Sequence, residues 1–247
     1  MGGNERSRLV LWDIDHTLLD GGGVSRDAYR SAFERVTGRP LEHMADMAGR
    51  TELLIAGDTL RLHGIAPAPD LLTRFINAVA AELDARADLL AARGRALPGA
   101  SDALAALSRV PGVRQSVLTG NMRVLAELKL RAFGLTDHLD LAAGAYGDDA
   151  EERIALLPKA LERAYAHYGH RFTGADTVIV GDTVLDVATA KAGGATILAV
   201  STGVTSAEAL RAAGAGTVLP SLSDTRAVVR AVLAADPDGD AAVAVAQ

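Results

Sequence analysis

Cysteine is absent from the chain, and that absence excludes disulfides, thiolate metal sites and cysteine nucleophiles together. Lysine is scarce: Lys129, Lys159 and Lys191 are the only ones, so chemistry that needs a lysine has few places to occur. No run of about 18 uninterrupted apolar residues exists, which excludes a transmembrane helix. The opening Met1-Gly2-Gly3-Asn4-Glu5-Arg6 lacks an apolar signal-peptide core, so a cytoplasmic location is expected. A formal net charge of -6 disfavours a sequence-independent grip on nucleic acid. What is present is ordinary globular material, 49% hydrophobic and 23% charged, enough for one large domain or for one domain with an insert. Neither nucleic acid nor a membrane is therefore an expected partner, and a homodimer is left open.

The residue pattern predicts an α/β fold. Arg8-Leu9-Val10-Leu11-Trp12 reads as a buried strand that delivers Asp13 and Asp15 into a loop. Gly21-Gly22-Gly23 breaks the chain, and from Ser25 to about Ala92 the pattern is helical, with Tyr29, Phe33 and Val36 at helical spacing. After Pro98-Gly99 the rhythm changes. Helices are expected at Ala100–Arg109, Arg123–Phe133, Glu152–Tyr168 and Asp186–Ala192. Strands are expected at Val113–Leu118, Leu139–Ala143, Val178–Val180, Thr196–Val200 and Thr217–Leu219. Such alternation implies a Rossmann-like parallel sheet in three layers, with ligands at the carboxyl ends of its strands. The expected division is a core of residues 1–20 and 96–235, a small all-helical domain inserted at 21–95, and a polar tail at 236–247.

The chemistry collects where predicted strands end. The first is followed by Asp13, Asp15 and Thr17, the second by Thr119-Gly120-Asn121, and a later one by Gly181-Asp182 and Asp186. Carboxylates brought together repel and raise one another's pKa unless a cation intervenes. A hard divalent ion with oxygen ligands, most simply Mg²⁺, resolves that repulsion and leaves positions open for phosphate oxygens.

These segments resemble the motifs of the haloacid dehalogenase superfamily. Asp13-Ile14-Asp15-His16-Thr17-Leu18 resembles its first motif, DxDxT, with His16 where glycine is more usual. Val117-Leu118-Thr119-Gly120-Asn121 resembles the second, a strand ending in Thr or Ser, and Gly181-Asp182-Thr183-Val184-Leu185-Asp186 resembles the fourth, GDxxxD. The third motif, usually Lys followed by Pro, is not obvious. Arg153 at the start of a predicted helix and Lys159 inside it are both candidates for its cation. A helical insert directly after the first motif is similar to the family's C1-type cap.

The resemblance implies a Mg²⁺-dependent phosphatase of the phosphoglycolate phosphatase-like kind, acting on a small phosphorylated metabolite. It casts Asp13 as nucleophile and Asp15 as general acid and then base. Thr119, Gly120 and Asn121 would hold the transferring group; Asp13, Asp15, Asp182 and Asp186 would hold the metal. Gly49-Arg50-Thr51 is the segment of the insert best suited to substrate, through Arg50 and Thr51. His43 and His63 are read as surface or packing residues, and Arg26 and Arg30 as weaker candidates. Asp15 would be superfluous for expelling a halide but is needed to protonate an alkoxide, which favours phosphate esters. Residues 20–97 hold no lysine for a phosphonate-cleaving Schiff base. A phosphomutase of the β-phosphoglucomutase kind and a non-catalytic phosphate-binding protein are the alternatives.

Overall fold

The computed structural model describes residues 7–234, so the expected tail at 236–247 lies outside the described residues. Strand β1 (Arg8–Trp12) is buried at every position. Leu9 and Leu11 belong to one apolar cluster, Val10 and Trp12 to another, as the two-residue period of a strand covered on both faces requires. Within this core the Trp12 indole donates to Gln115 Oε1 at 3.1 Å.

The chain then leaves the sheet through a short antiparallel stem. Strand β2 (Leu19–Asp20) pairs with β3 (Arg95–Ala96), and between them lie α1 (Val24–Thr37), α2 (Glu52–Leu62), α3 (Pro69–Asp84) and α4 (Ala87–Arg93). These helices bury Tyr29, Phe33 and Phe75 around a core of their own, with Phe75 edge-on to both other rings at 5.6 and 5.7 Å. His63 is a packing residue, its ring 4.4 Å from Phe33 and its Nε2 accepting the Glu42 N–H.

The rest of the chain builds the layered α/β unit. It runs through α5 (Ala100–Ser108), β4 (Val113–Val117), α6 (Arg123–Ala132), α7 (Leu156–Tyr168), β5 (Thr177–Gly181) and α8 (Val184–Ala192). It closes with β6 (Thr196–Val200), α9 (Ala207–Ala213), β7 (Thr217–Leu219) and α10 (Thr225–Leu233). The strands form a five-stranded parallel sheet in the order β4-β1-β5-β6-β7. Helices α5, α6 and α10 cover one face, and α7, α8 and α9 the other. Leu125 and Leu128 of α6 also join the apolar cluster of the inserted helices, which thereby rest on the sheet-bearing unit. No described helix is long and apolar enough to cross a membrane.

Two expected elements differ. Leu139–Ala143 is not a strand: Leu141–Ala143 forms a 3-10 turn, and the segment touches the edge of β4 only through isolated bonds such as Asp140 N to Gln115 O at 2.8 Å. Three residues, two of them alanine and followed by Gly144, are too short and too weakly β-forming to extend the ladder. The helix expected from Glu152 opens with a 3-10 turn, Arg153–Ala155, and becomes α7 only at Leu156. Pro158 explains the delay: its ring bars an α-helical turn reaching back to Ile154, whereas a proline in the first turn is tolerated. The stem β2–β3 and helices α9 and α10 carried no distinct expectation.

Candidate active site

Sheet order fixes where the chemistry gathers. Strands β4 and β5 flank β1 on opposite sides, so the strand order reverses beside β1 while all three run parallel, and a crevice opens beyond their carboxyl ends. The Asp13 N–H donates to Val180 O at 2.8 Å and the Leu118 N–H to Trp12 O at 2.9 Å, which sets the residues leaving these strands side by side.

Asp13, Asp182 and Asp186 are all buried, with carboxylate oxygens within 4.8 Å of one another. Each has a local reason to be there. Asp13 follows β1 directly, and Asp182 follows β5 and accepts from Thr17 Oγ1 at 3.2 Å. Asp186 closes a capping box with Thr183 at the start of α8, one oxygen accepting the Thr183 N–H at 3.0 Å. Burial, with Asp186 and Asp15 nearby, pushes Asp13 up to about 6 even against the pull of Arg153. Burial together with Asp13 and Asp186 pushes Asp182 up to about 8.

One guanidinium answers these charges. Arg153 Nη2 lies 3.0 Å from Asp13 Oδ1, also pairs with Asp186, and donates to Leu118 O at 3.2 Å. Three carboxylates facing one arginine remain under-neutralised. The donors are all oxygens, and the upward pKa shifts of Asp13 and Asp182 mark a missing positive charge, so the set fits a hard divalent cation such as Mg²⁺.

A second group forms beside the first. Asp15 accepts from Lys129 Nζ at 2.9 and 2.8 Å and from Asn121 Nδ2 at 2.8 Å, and Asn121 Nδ2 also reaches Thr119 Oγ1 at 2.8 Å. Burial would raise the Asp15 carboxyl, but the Lys129 ammonium and these hydrogen bonds outweigh it and hold it below its ordinary value. His16 adopts φ 58°, a left-handed backbone that suits glycine and explains why a glycine is the usual residue there.

The inserted helices close the crevice through the segment Gly49–Glu52. The Glu52 N–H donates to Gly120 O at 2.8 Å, Thr51 Oγ1 to Glu151 O, and Arg153 Nη1 to Gly49 O at 3.3 Å. Backbones meet so closely that a Cβ on Gly120 would lie 2.0 Å from Arg50 O. Beneath this contact is a cavity of about 410 Å³, lined by Asp13, Asp15, Thr119, Lys129, Arg153 and Asp182 together with Arg50 and Glu52 of the insert.

The expected residues therefore divide. Asp13, Asp15, Thr119, Gly120, Asn121, Arg153 and Asp182 converge on the cavity, with Asp186 buried behind them. Lys159 does not: it is half exposed on α7 and pairs with Glu162 at 3.3 Å. Thr51 is the N-cap of α2, and Arg50 reaches the cavity while paired with Asp58. Lys129 and the buried Glu52, hydrogen-bonded to Tyr29, are the site residues the sequence reading passed over. Lysine scarcity was the available signal for Lys129; Glu52 carried none.

Comparison with known proteins agrees with this geometry. A family model for haloacid dehalogenase-like hydrolases matches residues 10–191. A Mycobacterium tuberculosis protein named tyrosine-protein kinase PtkA is 29% identical over 195 residues, covering 72% of this chain and 63% of that protein. The chain thus spans less than two thirds of the length of the curated relatives it matches. Among solved structures, a predicted phosphoglycolate phosphatase from Haemophilus somnus 129pt superposes with a TM-score of 0.66 at 16% identity, covering 92% of this chain and 100% of that one. CbbY from Rhodobacter sphaeroides, in complex with phosphate, superposes with a TM-score of 0.64 at 20% identity, covering 88% and 96%. At these identities the likeness is one of fold.

Proposed function

Because the chain belongs to the haloacid dehalogenase-like hydrolases, we propose that it is a Mg²⁺-dependent phosphatase that hydrolyses a small phosphorylated metabolite through an aspartyl phosphate on Asp13. The observation that carries this reading is the Asp13 carboxylate itself: it stands at the end of β1, 3.0 Å from Arg153 and clustered with Asp182 and Asp186. A nucleophilic carboxylate needs such a setting, because it must approach an anionic phosphoryl group in a place where positive charge is fixed beforehand.

In the first step an Asp13 oxygen bonds to phosphorus as the ester P–O bond breaks, and Asp15, ionised in the free protein and protonated once the anionic substrate is bound, gives its proton to the departing oxygen. In the second, Asp15 takes a proton from water as the water oxygen bonds to phosphorus and the bond between phosphorus and the Asp13 oxygen breaks, releasing inorganic phosphate and restoring the Asp13 carboxylate. Arg153 holds the nucleophile in place and offsets its charge. The Thr119 hydroxyl and the main chain at Gly120 and Asn121 line the cavity where the phosphoryl oxygens would lie. Asp13, Asp182 and the Asp15 main-chain carbonyl would hold Mg²⁺, with Asp186 behind them, and the ion would supply charge that eases the meeting of two anions. The inserted helices act as a cap that excludes water, and Arg50 faces the non-reacting part of the substrate.

A second reading, phosphoryl transfer to an acceptor other than water, is favoured by the relative named as a tyrosine-protein kinase. A mutase of the β-phosphoglucomutase kind is one form of it. Phosphate release from p-nitrophenyl phosphate and from a metabolite panel, with Mg²⁺ and with EDTA, decides between them. The phosphatase reading expects release that EDTA abolishes and Asp13→Asn removes. Turnover only with a bisphosphate primer or a hydroxyl acceptor would favour transfer.

A further inference from the structure

Arg153 accounts for the nucleophile, but the cavity holds a second cation whose reach ends elsewhere. Lys129 rises from α6 with its side chain 3% exposed. Its Nζ donates to both Asp15 oxygens at 2.9 and 2.8 Å and to Asn121 Oδ1 at 2.6 Å. An ammonium taken out of water is costly unless its N–H groups find partners, and these contacts supply them. The stem is also fixed, because Ala126 and Leu130 of α6 pack into the sheet core while Leu125 and Leu128 pack into the inserted helices.

The consequence falls on Asp15. Its side chain is 37% exposed towards the cavity, so burial alone does not choose its rotamer. Lys129 grips both oxygens, and Asn121, tied to Thr119, grips one of them again. We propose that Lys129 is a positioning residue that, with Asn121, holds the Asp15 carboxylate at the angle from which it exchanges a proton with the oxygen leaving or attacking phosphorus. This rests on the phosphatase reading above. Proton transfer is sensitive to such placement, since donor and acceptor must lie within hydrogen-bond reach as the P–O bond breaks.

The test compares leaving groups by kcat/KM in the full-length protein with Mg²⁺. Nitrophenolate departs with little need of a proton, whereas an aliphatic alkoxide departs only with one. Lys129→Met should lose about 100-fold on the best aliphatic phosphate ester and about tenfold on p-nitrophenyl phosphate. Asp15→Asn should show the same skew, and the double variant should be no worse than Asp15→Asn alone, because residues acting through one another are not additive. Equal losses on the two esters, or additive losses in the double variant, would overturn the proposal. If Lys129→Met does not fold, Asn121→Ala carries the same comparison, with the skew supporting the proposal and its absence opposing it. Wild-type protein that hydrolyses neither ester would overturn the phosphatase reading, and the positioning role with it; unskewed losses in an active enzyme would overturn the positioning role alone.

Discussion

Arg153 shows how much one side chain can organise. Its planar fork reaches Asp13, Asp186, Leu118 O and Gly49 O at once, a geometry that an ammonium cannot copy. Arg153→Lys should therefore keep the fold but lower kcat/KM by about 100-fold, read with p-nitrophenyl phosphate. Arg153→Ala should also destabilise the protein by about 3–5 kcal/mol in denaturant unfolding, because it strands two buried carboxylates. Asp182 gives a prediction in pH. Its native pKa of about 8 exceeds its ordinary 3.8, so the folded chain binds this proton more tightly than the unfolded one. The resulting stability is whole below about pH 4 and is lost as pH climbs towards about pH 8. In metal-free buffer Asp182→Asn should gain on wild type between those limits, by roughly 1–3 kcal/mol, since part of the shift is shared with Asp13. Asp15 runs the other way: its lowered pKa contributes stability at neutral pH that acid removes. Asp13, Asp15, Thr119 and Asp182 were legible in the sequence because each follows a strand, and parallel strands gather their ends. Lys129 carries only its scarcity as a signal, because a lysine within a helix has no local mark of burial and its partner lies 114 positions away.

At the level of elements, the meeting of the insert with the loop after β4 depends on missing side chains. Gly120 and Gly147 sit where backbones touch, and a Cβ on Gly147 would fall 1.8 Å from Gly120 O. Gly120→Ala should push Arg50 and the start of α2 outward, leaving the α/β unit folded. The expected outcome is a roughly 10–100-fold drop in kcat/KM with a loss of about 1–3 kcal/mol in stability, measured by steady-state kinetics and thermal unfolding. The strands with unbroken apolar runs and the helices with clear periodicity were readable beforehand. The 3-10 turn Leu141–Ala143 and the two-residue stem β2–β3 were not, because tertiary hydrogen bonds define elements that short. Proline position, by contrast, could have moved the start of α7 past Arg153, and with it separated Arg153 from Lys159.

Across the whole molecule, carboxylates from β1, β5 and α8 share one unmet demand for positive charge. A divalent cation bound there should stabilise the fold as well as activate it. Mg²⁺ at about 100 times its dissociation constant should add about 2.7 kcal/mol to unfolding, and an upward shift of the melting temperature on titration would show it. The shift should shrink from about pH 8 to about pH 5, as Asp182 and Asp13 take up protons and compete with the ion.

The guanidinium that steadies the nucleophile also grips the main chain at Gly49. Exchanging the helices between β2 and β3 for those of a relative is therefore not a modular graft: a chimera that discards 49–52 also discards a tether of its own reaction centre. Segments taken from 53 onward leave that tether whole, and new specificities built on this scaffold should begin there.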